Sequence, residues 1–446
     1  MFGPSGALFR GVNPRVLIVL ALAASAGAQE TAPLKLTLRE AVSLALKQNP
    51  QVILANLGVS QSQQDRQIAR SALLPQVNGN VSETVHRVNL QTAIGFSFPG
   101  FPQHIGPYYV FQGGVGFNAP VFDLTLWRRY RSAELGIDSS RAQEMSVREE
   151  SVLLVVSQYL GSQRAAADVQ AAQSRVELAQ ALYDQSADLQ KNGVGTGIDT
   201  LRSNVQLQNE KQRLIVARTQ LQTTLYGLSR LLNVDPHRTI ELADQVSFFD
   251  TPEVSPDQTL ERAYSARPEL RQILSQERRA ELELKTAVDQ RLPRLSLTGG
   301  WLEQGLTPSS IIPVYQYQAN LDFPLFTGGR IQAQRAQAEL AIRQLKQQEQ
   351  ELRNRVALEV RTAIAQSEAA RSEVTVANLG VDLARQEVVQ ARDRFQAGVA
   401  NNIEVITAQD ELARANDNQI AALYRYNQSR ADLAHAVGQM EAVYAK

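Results

Sequence analysis

Residues able to make and break bonds are thinly placed in this chain. It has no cysteine and four histidines, His86, His104, His237 and His435, which lie in dissimilar contexts and form no HExxH or other metal-ligand spacing. That excludes thiolate metal sites, cysteine nucleophiles, disulfides and anchoring through a lipidated N-terminal cysteine. Carboxylates are plentiful on helix-forming stretches, but no local arrangement for acid–base work accompanies them, and neither a Walker loop nor a dinucleotide fingerprint occurs. The sequence therefore predicts no enzyme and no cofactor or metal. Two acids stand out by position: Asp188 and Asp393 each lie five residues before a glycine, Gly193 and Gly398. Gathered around an axis, such carboxylates would attract cations and repel one another. Asp393 is flanked by Arg392 and Arg394, so ordinary surface pairing is the competing reading. With 45 Lys+Arg against 45 Asp+Glu, the net charge of zero gives no global argument for a nucleic-acid partner, and none is expected.

The elements that must position these acids repeat. Residues 1–28, with Arg10 and Arg15 ahead of the apolar run Val16–Leu22 and small residues up to Ala28, read as a secretory signal, leaving about 418 residues. After it, Thr37-Leu38-x-Glu40-Ala41 has a counterpart in Thr259-Leu260-Glu261-Arg262-Ala263. Asn49-Pro50 and Leu74-Pro75 are echoed by Arg267-Pro268 and Leu292-Pro293, and Pro120-Val121-Phe122 by Pro324-Leu325-Phe326. Gly193-Val194 recurs as Gly398-Val399, 205 residues later. Five signals in one order predict two copies of one unit, residues 29–258 and 259–446.

Each copy reads as helix, two strands, very long helix, turn, helix. Strands are expected at about 76–91 and 107–119 in the first copy and at about 294–303 and 314–323 in the second, where apolar residues alternate between Gly- and Pro-rich loops. Residues 126–192 and 330–396 run without proline, and each would extend roughly 100 Å as a helix. Shorter helices before the strands and after the turns, stacked end to end, would flank them. Alanines such as Ala338, Ala341, Ala365 and Ala369 would permit close approach.

No stretch after the signal reaches the roughly 18 to 20 apolar residues of a spanning helix, so any membrane-spanning part must be a β-barrel. Four strands cannot close a barrel, because single-chain barrels start at about eight, so partner copies must complete the sheet. Three copies would give twelve strands. Tyr108, Tyr109, Phe111, Trp301, Tyr315, Tyr317 and Phe323, in or beside the strands, suit either membrane-interface girdles or ordinary packing.

At this point the chain resembles the TolC-like outer-membrane efflux proteins, also called outer membrane factors, along essentially all of its mature length. The resemblance rests on Ala69–Pro75, Pro120-Val121-Phe122-Asp123, Pro324-Leu325-Phe326-Thr327-Gly328-Gly329-Arg330 and Phe395-Gln396-Ala397-Gly398 before Ile403-Glu404-Val405-Ile406. It implies a mixed α and β membrane protein: a homotrimer with a twelve-stranded outer-membrane β-barrel continued by a periplasmic α-helical tunnel. It further implies an exit duct, passive and gated, joined through a periplasmic adaptor to an inner-membrane transporter, with outer-membrane lipid around the barrel. Small toxic compounds or drugs are the preferred cargo, and type I protein secretion is the alternative. A periplasmic coiled-coil scaffold without a channel is the reading from a different class.

The resemblance also places the two turns, about 193–198 and 398–403, at the adaptor. Gly193, Val194, Gly195 and Thr196 keep the family's tip pattern, whereas the second tip reads Gly398, Val399, Ala400 and Asn401, so the two would present unequal docking surfaces. The plainer reading is that these glycines only permit a tight turn. Asp188 and Asp393 are the corresponding candidates for a periplasmic gate. The first copy also has Leu124-Thr125 where the second has Gly328-Gly329, which predicts a less tightly turned junction from strand to helix.

Overall fold

The computed structural model describes residues 33–90, 92, 95–96, 100, 102–244, 255–400 and 402–445. The expected signal segment 1–28 and Asn401 lie outside the described residues. In chain order the elements are β1 (Leu34–Leu36), α1 (Leu38–Gln48), α2 (Pro50–Ser71), β2 (Gln76–Asn89), β3 (His104–Phe122), α3 (Leu124–Lys191), α4 (Gly197–Leu232) and β4 (Ile240–Leu242). The second half continues with α5 (Pro256–Ala266), α6 (Pro268–Asp289), β5 (Arg294–Gly305), β6 (Ile312–Asp322), α7 (Arg330–Gln396), α8 (Asn402–Val437) and α9 (Met440–Tyr444).

Local chemistry explains the breaks between helices. Thr37 and Glu40 form a reciprocal capping box at the start of α1. Asn49, extended, stops α1 and caps α2, whose first residue Pro50 needs no N–H partner. The Asn49 amide also donates to the Leu231 carbonyl at 2.9 Å, tying α2 to the end of α4. In the second copy a buried arginine does this work: Arg267 Nε donates to the Ala436 carbonyl at 2.9 Å, and its guanidinium also pairs with Glu359 and Glu269.

The long helices α3 and α7 have 68 and 67 residues. They form the columns against which the shorter helices stack: α2 and α4 pack on α3, and α6 and α8 both pack on α3 and on α7. Along α7, the buried residues Val360, Ala363, Ala370, Val374, Val381, Ala384, Val388 and Ala391 recur at steps of three, four and seven. That is the 3.5-residue repeat of a coiled coil, with alanine letting the backbones come close. The seam differs from the sequence expectation, because Ala365 and Ala369 are exposed and Ala363 and Ala370 are the packed residues. Counting alanines finds small residues but not the phase of the repeat.

Where the two copies meet at mid-length, β1 and β4 pair in parallel and close an apolar core of Val42, Val152, Val155, Val156, Tyr159, Leu228, Leu232 and Met440. The Tyr159 hydroxyl donates to the Leu36 carbonyl at 2.9 Å, and burial raises its phenol pKa. Glu149 accepts from the Met440 amide at 2.6 Å and so fastens the start of α9 to α3.

The remaining strands form one antiparallel sheet in the order β2-β3-β5-β6. β3 starts three residues before the expected 107 and runs three past 119. The strand runs through two prolines, Pro107 and Pro120. Each sits beside a register shift, between His86 and Val88 in one pairing and between Pro120 and Phe122 in the other, where a missing N–H is tolerated.

Candidate functional site

The sheet has two chemically distinct faces. In register, Val77, Phe117, Gly299 and Tyr317 lie side by side across the four strands, and the next level of the same face carries Gly79, Val115, Trp301 and Tyr315. Rings of Phe117, Tyr317, Tyr315 and Trp301 follow one another at centroid distances of 6.0 to 6.2 Å. Tyr317 and Phe117 also cover Gly299, where a Cβ would come within 2.7 Å of both rings. The opposite face carries Asn78, Gly116, Gly300 and Gln316 at one level and Asn80, Gly114, Leu302 and Val314 at the next. An apolar, aromatic face backed by a mainly polar one is the pattern of a sheet between lipid and water. Of the aromatics that suit either a girdle or ordinary packing, Tyr108 falls on the polar face, stacked on His86 at 5.6 Å, and Phe323 lies just beyond β6. Among the described residues, edges β2 and β6 have no partner strand within the sheet.

At the junctions with the long helices the copies part. Asp123, with φ −147°, caps α3 through hydrogen bonds from the Thr125 and Leu126 amides, so the chain passes from strand to helix through an extended residue. The second junction turns through two left-handed glycines, Gly328 and Gly329, with φ of 57° and 82°.

The far ends of α3 and α7 share one cap. The Gly193 amide donates to the Gln190 carbonyl and the Val194 amide to Leu189; Gly398 and Val399 repeat this with Phe395 and Arg394, all at 3.0 to 3.1 Å. Both glycines are left-handed, φ 74° and 73°, and a Cβ at either would meet nothing within 4 Å. Their requirement is conformational rather than steric. Val194 and Val399 project at the turns, 79% and 68% exposed.

Beyond the cap the tips diverge. Gly195 sits tight against Leu189, where a Cβ would come within 2.9 Å, and Thr196 caps α4 through Asp199. At the second tip Arg394 reaches across the turn to Glu404 at 2.8 Å. Asp188 and Asp393 are both exposed, and their backbone carbonyls accept from the Asn192 and Ala397 amides as part of the caps. Arg394, one of the two arginines flanking Asp393, pairs with Glu404 on α8.

A charged node was not anticipated from the sequence. Glu210, 2% exposed, occupies a packed step of α4 between Leu207 and Leu214. Arg175 on α3 faces it at 3.7 Å and reaches Asp417 on α8 at 2.8 Å; Arg213 meets Glu210 at 2.7 Å. Gln206 donates to both Glu210 and Asp410. The node therefore joins the first helical hairpin to the second, about 27 Å above the first tip at 1.5 Å per residue. Nearby, burial raises the Asp168 carboxyl above its usual range, with Asp417 adding to the rise and Arg164 and Arg175 opposing it. A carboxylate at a coiled-coil step was the available sequence signal.

Comparison with known proteins follows the same geometry. A family model described as outer membrane efflux protein matches residues 41–234 and 259–439. Among curated proteins, the alkaline protease secretion protein AprF of Pseudomonas aeruginosa is 24% identical over 421 residues, 91% of this chain and 85% of that protein. The pyoverdine export outer membrane protein OpmQ of the same species is 22% identical over 398 residues, 85% and 80% of the respective chains. Among solved structures, the Campylobacter jejuni CmeC outer membrane channel superposes with a TM-score of 0.79 at 19% identity, covering 90% of this chain and 85% of that one. The Vibrio cholerae outer membrane protein VceC gives 0.76 at 17%, with 90% and 96% covered.

Proposed function

Because the chain belongs to the outer membrane efflux protein family, we propose that three copies close their four-stranded sheets into a twelve-stranded barrel and their helices into a tube below it. The protein is an outer-membrane export channel with a periplasmic helical extension. The observation that carries the assembly of several copies is the sheet itself: two edges unpaired among the described residues and one apolar face, which hydrocarbon tolerates only once the edges are paired; the number three follows from the family. Transport is passive, driven by an inner-membrane pump that engages the tube through a periplasmic adaptor. Small toxic compounds or drugs are the preferred cargo, in line with the pyoverdine exporter among the relatives. Protein secretion is the second reading, favoured by the similarity to the protease secretion protein. Electron microscopy of the full-length protein in mild detergent is expected to show a three-fold hollow tube with a helical extension of about 100 Å. A solid rod without a detergent belt would make the scaffold reading primary.

The adaptor meets the tips Gly193–Thr196 and 398–401, a reading supported by the bare valines at each turn. Asp188 and Asp393 form the periplasmic gate, six carboxylates in a trimer, supported by their exposure beside the tips. Replacing both with Ala is expected to lower cation preference in bilayer recordings; unchanged ion selectivity would sink the gate assignment.

A further inference from the structure

We infer that the membrane barrel is blind to the charge of its cargo, so that any sorting by charge occurs in the helical tube or at the partners. The inference rests on the closed-barrel reading above and deepens it. If the apolar face meets lipid, the opposite face lines the bore. Across its strands that face presents Asn78, Asn80, Gln112, Thr298, Gln316 and Gln318, with small or apolar residues between them. It bears no acidic or basic side chain between His86, toward one end, and Arg294 with Asp322 at the helical end. Those two oppose each other across β5 and β6 at 3.6 Å, so their charges are largely compensated. The sheet's two other carboxylates, Glu83 and Glu303, lie on the apolar face. By sequence, residues 88–122 and 304–321 contain no Asp, Glu, Lys or Arg at all, although one residue in five of the whole chain is charged (20%).

The chemistry of the wall explains the consequence. A side-chain amide carries both donors and an acceptor, and a hydroxyl likewise, so either can solvate an anion or a cation. Without fixed charge the bore has no field to concentrate one sign and repel the other.

Because the chain contains no cysteine, single cysteines can be placed without background. Full-length protein in liposomes would carry Ser82→Cys, Thr298→Cys or Gln318→Cys on the bore face, or Val81→Cys, Leu297→Cys or Tyr317→Cys on the lipid face. Each is treated with a cationic and an anionic methanethiosulfonate. Bore-face cysteines are expected to react with both reagents, at a rate ratio within about threefold of that for a free thiol, while lipid-face cysteines are protected. A preference of about tenfold or more for one sign, with the lipid face still protected, would overturn the inference and leave the barrel standing. Equal reactivity of both faces would overturn the barrel reading and this inference with it. Adding Gln318→Glu to Thr298→Cys is expected to shift the ratio toward the cation; an unmoved ratio would also overturn the inference, because wall charge would then not govern access.

Discussion

The two helical hairpins share a backbone and differ in how their seams are closed. At the level where the first holds Arg175 against buried Glu210, the second, 205 residues on, has Gly380 and Ala415. A hairpin of this length therefore needs no buried ion pair. What the pair adds is a link out of the hairpin, through Arg175 to Asp417 on α8. The tips follow suit: the first is closed by Gly195 and the Thr196–Asp199 cap, the second by the Arg394–Glu404 bridge across the turn. The mid-length joints invert the pattern, with neutral Asn49 in the first copy and charged Arg267 in the second.

Breaking the node is the largest test of this contrast. Arg175→Ala is expected to cost about 2 to 3 kcal/mol, less than a fully orphaned buried charge because Arg213 still faces Glu210. The paired replacement Arg175→Leu with Glu210→Ala, which makes the first seam resemble the second, is expected to recover most of that loss. Thermal unfolding of detergent-extracted protein reads both. If the double variant is as unstable as the single, the node is more than a tolerated alternative to apolar packing.

Next come the turns. Gly193→Ala and Gly398→Ala are each expected to cost about 1 to 2 kcal/mol, equally at the two tips, since both require a left-handed backbone in open space. Gly195→Ala is expected to destabilise the first tip through its contact with Leu189, whereas Ala400→Gly in the second should be near neutral; equal effects would erase the distinction between the tips. Arg394→Ala removes an exposed bridge and should change stability by no more than about 0.5 kcal/mol.

The smallest effect is a pH slope. Asp168 has its carboxyl raised by burial although Arg164 lies 3.9 Å away, while its counterpart Glu373 meets Arg425 at 2.9 Å. Between the ordinary aspartate value of 3.8 and the raised one, the native state holds more protons than the unfolded state, so stability falls as pH rises through that window. Asp168→Asn should flatten that slope, as measured by unfolding midpoints across pH.

Much of the architecture was legible because it is written in long-range order. The proline-free runs give α3 and α7, and the X-Pro pairs at Asn49 and Arg267 begin α2 and α6. Alternation in Val77 to Val85 shows that β2 has two faces, but which residues stand beside them depends on pairing across strands, which no local pattern supplies. For Tyr108 the sequence leaves girdle and ordinary packing both open, and the cross-strand partner His86 decides for packing on the polar face. Glycines at the turns were readable as backbone requirements, and both are left-handed. The node was not, because Arg175, Glu210 and Asp417 lie on three helices and meet only once the columns are packed.

The open sheet has a consequence for biogenesis. A protomer with two unsatisfied edges cannot enter the bilayer alone, so on the trimer reading insertion and assembly are one event. The yield of membrane-inserted protein should then rise more steeply than linearly with the concentration of exported chains, and a scarce supply would strand protomers in the periplasm with their β2 and β6 edges exposed to unrelated strands.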